Sequence, residues 1–516
     1  MPFIRLVQYI WSTSPKRPKM FKKIIITSLL ITFVQLAHAQ KITQFSTDSV
    51  KFIKELNDYF YDNSANKKEA EEYVLNFGKV WKSPDFASRY RAAIYKTSNS
   101  MLQRKLKPYP YFITYLNSVV NFIDSKQNPE VFDNWQACIE KIFNSKNLKN
   151  YGEYLEMSEN IFSSNTFYKS PTYSYRSEQA SYKFEFDSIP KVVFPKMTLV
   201  GSSPRGDSIS IENIQGIYYP SSGKFVGKGG RLSWKRTGVG NDVYADLIRV
   251  NLDCKTGGYI SDSATFVGKQ YFDVPQKGRV TDKIVTENGD PTYPRFDSYS
   301  KRLVVKNIYP DVDYDGGFGM RGNKFVGSGN AQNPARLLFK RNNARFLEIS
   351  ARSFAMTKEK INAKPAAVKF YLEKDSIIHP GLSFVYQVDK KTVTLLRTDD
   401  GLEKSPYFNT YHKVDMYFEQ MVWKIDEPKI DFNFLPNNTQ GEAFFESQDF
   451  FSRGRMEAIK GMENVSPVTK MDDYYNNNGN LLTFTVVDFA KYIKYLAVDL
   501  RPIIFKMAIF GLIYYE

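Results

Sequence analysis

Asp311-Val312-Asp313-Tyr314-Asp315-Gly316 sets carboxylates at the first, third and fifth positions of a run and glycine at the sixth. Alternate carboxylates ahead of a sharp turn can converge on one hard cation, and a calcium loop of the EF-hand type opens this way. That loop also needs a bidentate glutamate at its twelfth position, which here is Gly322. The stretch therefore reads first as an acidic turn. Asp311, Asp313 and Asp315 are the candidate metal ligands and calcium the one cofactor the sequence offers. They carry less as catalytic groups, because carboxylate density alone does not pair an acid with a base.

Other reactive patterns fall short in the same way. Gly227-Lys228-Gly229-Gly230 has the glycines of a phosphate loop but not its lysine-serine ending or its helix, so it reads as a turn. After residue 39 the only histidines are His379 and His412, too few for a histidine-rich zinc site. The two cysteines, Cys138 and Cys254, fall in segments assigned to different domains and make no disulfide framework. No nucleophile elbow is found. The expectation is a protein that is not an enzyme, with no catalytic or cofactor-binding residue assigned.

The elements that would position any site are announced by an echo. Lys224-Phe225-Val226-Gly227-Lys228-Gly229 returns 100 positions later as Lys324-Phe325-Val326-Gly327-Ser328-Gly329. After a turn, Arg231 to Arg236 answers to Arg336 to Arg341, and a fainter copy stands at Thr265 to Lys269. From 171 to 435 the apolar period is two. Tyr182, Phe184 and Phe186 alternate with polar residues, and glycine, proline, asparagine and aspartate punctuate short strands. Gly381 to Tyr386 followed by Thr392 to Arg397 repeats the strand-turn-strand cadence. A recurring unit suggests a β-solenoid in which each unit buries its face on its neighbours. The alternative is a β-sandwich or jelly-roll pair with a duplicated hairpin.

Residues 40–170 carry the helical period. Val50, Ile53, Leu56 and Phe60 form one stripe, Asn66 with Glu69 suggests a capping box, and Ser83-Pro84-Asp85 suggests a third helix start. Asn128-Pro129-Glu130 opens a later helix, and about six are expected. The period returns in 436–516, with helices over Ser447 to Lys460, Val487 to Leu496 and Pro502 to Tyr515, and Asn476 to Gly479 as a loop. The last run has an unaccounted apolar face, so this segment reads as incomplete. The class is α+β multidomain.

Met20-Phe21-Lys22-Lys23, the apolar run Ile24 to Leu36 and Ala37-His38-Ala39 have the form of a secretory signal peptide, with residues 1–19 an over-extended start. Its apolar run of 13 residues is short of a membrane span, and no transmembrane helix is expected in the mature chain. Cleavage removes six basic residues and no acidic ones, lowering the net charge from +16 to +10. With no run of five like charges, nucleic acid is not an expected partner. Envelope glycan, lipid or a protein partner is.

Five sites share the form aspartate, serine, aliphatic: Asp48-Ser49-Val50, Asp187-Ser188-Ile189, Asp207-Ser208-Ile209, Asp262-Ser263-Ala264 and Asp375-Ser376-Ile377. They resemble the O-glycosylation acceptor of Bacteroidota-type bacteria. Asp375 to Leu382, Asp415 to Phe418 and Trp423 to Ile430 are similar to stretches of a group of large uncharacterised exported proteins of those bacteria. That resemblance implies a longer protein and no activity to transfer. The glycine-punctuated cadence also resembles the periplasmic lipopolysaccharide-transport jelly roll. The expected role is an exported, non-enzymatic cell-envelope or surface protein, structural or ligand-binding. The alternatives are a carbohydrate-active enzyme on a β-solenoid and a periplasmic lipid or lipopolysaccharide conduit. The expected location is periplasm, outer-membrane surface or exterior.

Overall fold

A computed structural model describes residues 42–145, 149–285, 291–398, 400–435, 443–460 and 465–515. The expected signal peptide and its over-extended start lie outside the described residues. The chain divides into two compact units, one ending at Ser163 and one beginning at Ser164.

The first unit is helical: α1 (Ser49–Asn63), α2 (Lys67–Trp81), α3 (Ser88–Gln103), α4 (Ile113–Asp124), α5 (Pro129–Asn144) and α6 (Lys149–Ser164). Asp48 caps α1 by accepting from the amides of Val50 and Lys51 at 3.1 and 2.8 Å. That cap sets the helix phase so that Phe52, Leu56, Tyr59 and Phe60 are buried while Val50 is 79% exposed. The expected stripe thus holds at Leu56 and Phe60, with Ile53 half-buried, and fails at Val50. Asn66 caps α2 through the Glu69 amide, and Ala70, Val74, Phe77 and Trp81 point inward as expected. Ser83-Pro84-Asp85 does not open α3. It makes a tight turn that drives Phe86 into the core, and the helix starts at Ser88 without a side-chain cap. Asn128 caps α5, with Pro129 in its first turn. The core is aromatic: Trp135 stacks on Tyr115 at 5.5 Å and donates to the Ser158 hydroxyl.

Among the described residues the second unit is a 26-stranded antiparallel sheet followed by four α-helices. Most strands pair with their neighbours in sequence, and the ladder forks. Ser208–Tyr219 pairs along its C-terminal half with Lys224–Lys228 and at Glu212 with Arg231–Ser233. Val312–Arg321 does the same with Lys324–Ser328 and Ala335–Arg341. Asp375–Gln387 pairs with Thr392–Leu396 at one end and Tyr407–Asn409 at the other. Side chains alternate, so a row of rings and aliphatics from each strand lies on the buried face. Lys224–Lys228 reads exposed, buried, exposed, buried, exposed.

Phe225 and Phe325 occupy matching positions. Phe225 is opposite Tyr218 of the preceding strand and Leu252 of Arg249–Asp253, three strands on, and Phe325 is opposite Met320 of the preceding strand and Met356 of Ser353–Met356, also three strands on. Both are buried. The echo fails further on. Ala335–Arg341 is one strand, but Arg231–Ser233 ends at Trp234 in a short 3-10 turn closed by Gly238 at φ +77°. Thr265 to Lys269, the faint copy, closes the strand Gly258–Gly268, whereas the other two copies open theirs.

Near the C-terminus Phe444–Ser447 is a strand on Val414–Tyr417, with Phe444 stacked on Tyr417 at 4.2 Å. That pairing displaces the helix expected from Ser447. Helix α7 is Arg453–Lys460, followed by α8 (Pro467–Asn477), α9 (Val486–Tyr492) and α10 (Ala497–Ile509). Asn476 and Asn477 belong to α8, whose end turns at Gly479, φ +72°. Helices α7 to α10 share a core of Ile459, Tyr474, Phe489, Leu500, Ile504 and Met507. Among the described residues no helix is long and apolar enough to cross a membrane.

Candidate binding site

Asp313 and Asp315 lie two apart on one face of Val312–Arg321. Each is held by its own cation. Arg302 forks onto Asp315, Nε to Oδ1 at 2.6 Å and Nη2 to Oδ2 at 2.7 Å. Lys340 Nζ stands 2.6 Å from Asp313 Oδ1, which also accepts from the Asn307 amide at 2.9 Å. Burial pulls the Asp313 carboxyl upward. The bonds from Lys340 and Asn307, with the charges of Lys340 and Lys306, outweigh it and leave the group below its usual range. Asp311 occupies the preceding turn at φ +61°, its side chain exposed and its carbonyl accepting from the Lys340 amide. The three are thus neighbours in sequence that serve a turn and two cross-strand ion pairs. Among the described residues no cluster of three or more His, Cys, Asp or Glu stands where it could hold a metal ion.

The glycine run is a turn, as read: Gly229 and Gly230 sit at φ +73° and +106°. Cys138 and Cys254 are both buried, and burial pushes the Cys254 thiol far up. Of the five aspartate-serine sites, Ser188, Ser208 and Ser263 are exposed, whereas the Ser49 hydroxyl accepts from Trp81 Nε1 at 2.7 Å.

His379 belongs to the core. Its Nδ1 accepts from the Gly381 amide at 3.1 Å, which leaves Nε2 to donate to the Ser405 carbonyl at 2.9 Å. Desolvation holds the imidazole down at about 3, so it is neutral. It begins a ladder of rings: His379 on Tyr407 at 4.7 Å, Tyr407 on Phe418 at 4.3 Å, Phe418 on Phe432 at 4.4 Å. The first three are buried, and Phe432 is 39% exposed.

At that exposed end lies a cavity of about 610 Å³. Phe432 comes from one branch of the forked ladder, opposite Met421. Phe445 comes from the other, opposite Met416. Ile377, Asn409 and Val414 line it from three successive strands, with His412 from the turn joining the last two. The walls are apolar but for Asn409 and His412. Asn409 is 5% exposed. Its Oδ1 accepts from the His412 amide at 3.1 Å, which fixes the amide orientation, and its Nδ2 has Met416 Sδ at 3.7 Å. Apolar clefts of roughly 300–1,000 Å³ with a few polar groups are where small ligands bind. Sequence reasoning missed this site. Its residues are spread over 70 positions, and the available signal was the Asn409 to His412 turn between two apolar strands.

A second ionisable group escaped notice as well. Asp282 is buried in the strand Gln276–Lys283, its Oδ1 engaged by Arg236 and the Lys283 amide, with the Tyr259 ring close by. Desolvation pushes this carboxyl up to about 7 against the pull of Arg236.

No family model, curated protein or solved structure matches this chain.

Proposed function

We propose that this is an exported, non-enzymatic protein of the cell envelope or surface. Its β-body would be a stack of bent hairpins that provides structure and a place for ligand or partner to bind. The observation that carries this is the matched setting of Phe225 and Phe325: one hairpin design, used twice, with each copy buried between the strand before it and a strand three places on in the chain. The pairing of Asp313 and Asp315 with cations supports a structural role for those carboxylates over an acid–base one. The rings that fill the body, such as Phe194, Phe266, Phe318 and Phe384, favour a packed scaffold over a continuous conduit. Export rests on the sequence of residues 20–39, and kinship with the large exported proteins of Bacteroidota-type bacteria on the stretches quoted above.

The test is fractionation of the tagged chain expressed in a Gram-negative host, with sequencing of its mature N-terminus. Export with Gln40 as the first residue is expected, and an intact leader on cytoplasmic protein would sink the reading. Incubation with a polysaccharide panel and calcium, for the chain and its Asp313→Ala variant, tests the enzyme alternative. Turnover lost in the variant would replace the proposal.

A further inference from the structure

We infer that the cavity between Phe432 and Phe445 binds a single acyl chain whose oxygen-bearing end accepts a hydrogen bond from Asn409. Two independent observations meet there. The first is shape and surface: an open cleft of about 610 Å³ lined by Leu372, Ile377, Val414, Met416 and the two phenylalanine rings. Water gains few hydrogen bonds from such walls, so an apolar chain displaces it favourably, the more so with each methylene it buries. The second is the state of Asn409. A buried amide N–H normally reaches a strong acceptor. Here the Oδ1 is spent on the His412 amide, and the acceptor nearest Nδ2 is the thioether sulfur of Met416, a weak one. A carboxylate, ester or amide oxygen at the end of an alkyl chain supplies what the sulfur does not.

The exposed rings fit the same ligand. Phe432 and Phe445 are 39% and 55% exposed and stand on different branches of the ladder. A flexible chain threading between them would bury both. A flat sugar ring is a poorer match, because its hydroxyls would meet Ile377, Val414 and Met416 and lose their hydrogen bonds to water.

This inference rests on the ligand-binding half of the role proposed above and is independent of export. The test is a fluorescence titration of the purified full chain with cis-parinaric acid. Saturable binding is expected, with at least tenfold weaker binding by Val414→Trp, whose indole would fill the cavity. Asn409→Asp keeps the acceptor for the His412 amide and removes the donor, and binding should weaken severalfold. Should Val414→Trp lose its cooperative melting, Phe445→Ser, at an exposed position, takes its place. Absence of saturable binding, or unchanged binding in the cavity variant, overturns the site. Unchanged binding in Asn409→Asp overturns the role given to its amide. Either failure leaves the fractionation result standing, so the two readings fall separately.

Discussion

The hairpins at Phe225 and Phe325 make the same turn of the chain and solve its packing differently. In both, the residue two after phenylalanine is glycine, and the next glycine, two residues further on, donates its amide across the fork, Gly229 to the Ile248 carbonyl and Gly329 to that of Arg352. Ile248 and Arg352 are the single residues at which the following long strand breaks into two. What differs is the neighbourhood. Gly227 is opposite Gly216, and both leave room for the Phe225 ring, whose aromatic neighbours are Phe167 and Phe194. Gly327 is opposite Phe318, and Phe325 touches the rings of Tyr271, Phe272, Tyr314 and Phe318, the last at 4.8 Å. The cross-fork amide bond is constant, although Gly229 is left-handed at φ +73° and Gly329 is not, and the filling of the space beside it varies.

The strongest test of that contrast removes the rings. Phe325→Ala should cost about 3–5 kcal/mol, and Phe225→Ala should fall at the lower end of the same range, because two glycines and fewer rings surround it. Denaturant melts of the two variants check this. A larger loss for Phe225→Ala would mean the glycine pair makes a tighter, less forgiving site than the ring cluster.

A second test sets two buried titratable groups, Asp282 and His379, against each other. With its folded carboxyl raised to about 7, Asp282 keeps a proton that the unfolded chain has released. Stability from this group therefore falls as pH rises from the ordinary carboxylate range to about 7. His379, held down at about 3, refuses a proton that the unfolded chain takes below about 6.5, so its share of stability falls as pH drops from there towards 3. Each effect is on the order of 3 kcal/mol. Asp282→Asn should leave a protein that loses stability more steeply in acid, and His379→Gln one that gains stability as pH falls from 7 to 4. Melting temperatures across that window read both. Parallel pH profiles for the two variants would show that these groups do not dominate.

How much of this was legible in the sequence follows from what each pattern depends on. Period-two alternation and the Lys-Phe-Val-Gly echo depend on local geometry, and both strands and the matched setting of Phe225 and Phe325 follow from them. The apolar stripe of α1 holds from Ile53 to Phe60 and fails at Val50, which lies in the first turn beside the capping Asp48. Ser83-Pro84-Asp85 has a helix-start composition, yet burial of Phe86 is worth more than one early turn of helix. Ser447 was given to a helix because its partner strand, Val414–Tyr417, lies some 30 residues away in sequence. The cavity is the extreme case: Ile377, Asn409, Val414, Phe432 and Phe445 are unremarkable one by one, and only the meeting of two branches makes them a site. The aspartates show why spacing alone is ambiguous, since spacing that suits calcium also suits pairing with Arg302 and Lys340.

Glycine substitutions sharpen the contrast at smaller scale. A Cβ on Gly227 would lie 2.5 Å from Ile214 Cδ1, and one on Gly327 2.8 Å from the Tyr314 ring. An isoleucine tip can swing away. The Tyr314 ring is buried and its hydroxyl is tied to the Gly317 carbonyl, so it has less room to move. Gly327→Ala should cost about 2 kcal/mol and Gly227→Ala about half as much.

Gly229 isolates the backbone from the packing. It sits at φ +73° with open space where a Cβ would go, so alanine there meets no atom and pays only for a left-handed conformation. That cost is about 1 kcal/mol. Gly329, by contrast, has the Ala335 amide nitrogen 2.3 Å from a built Cβ, so alanine there must move backbone. If the two hairpins share the cross-fork amide bond and differ in filling, Gly229→Ala should cost no more than Gly227→Ala and Gly329→Ala clearly more than Gly229→Ala, read as the difference in their melting temperatures. Equal losses would mean that the amide bonds to Ile248 and Arg352, which both variants keep, govern the fork, and that the space around the glycine does not.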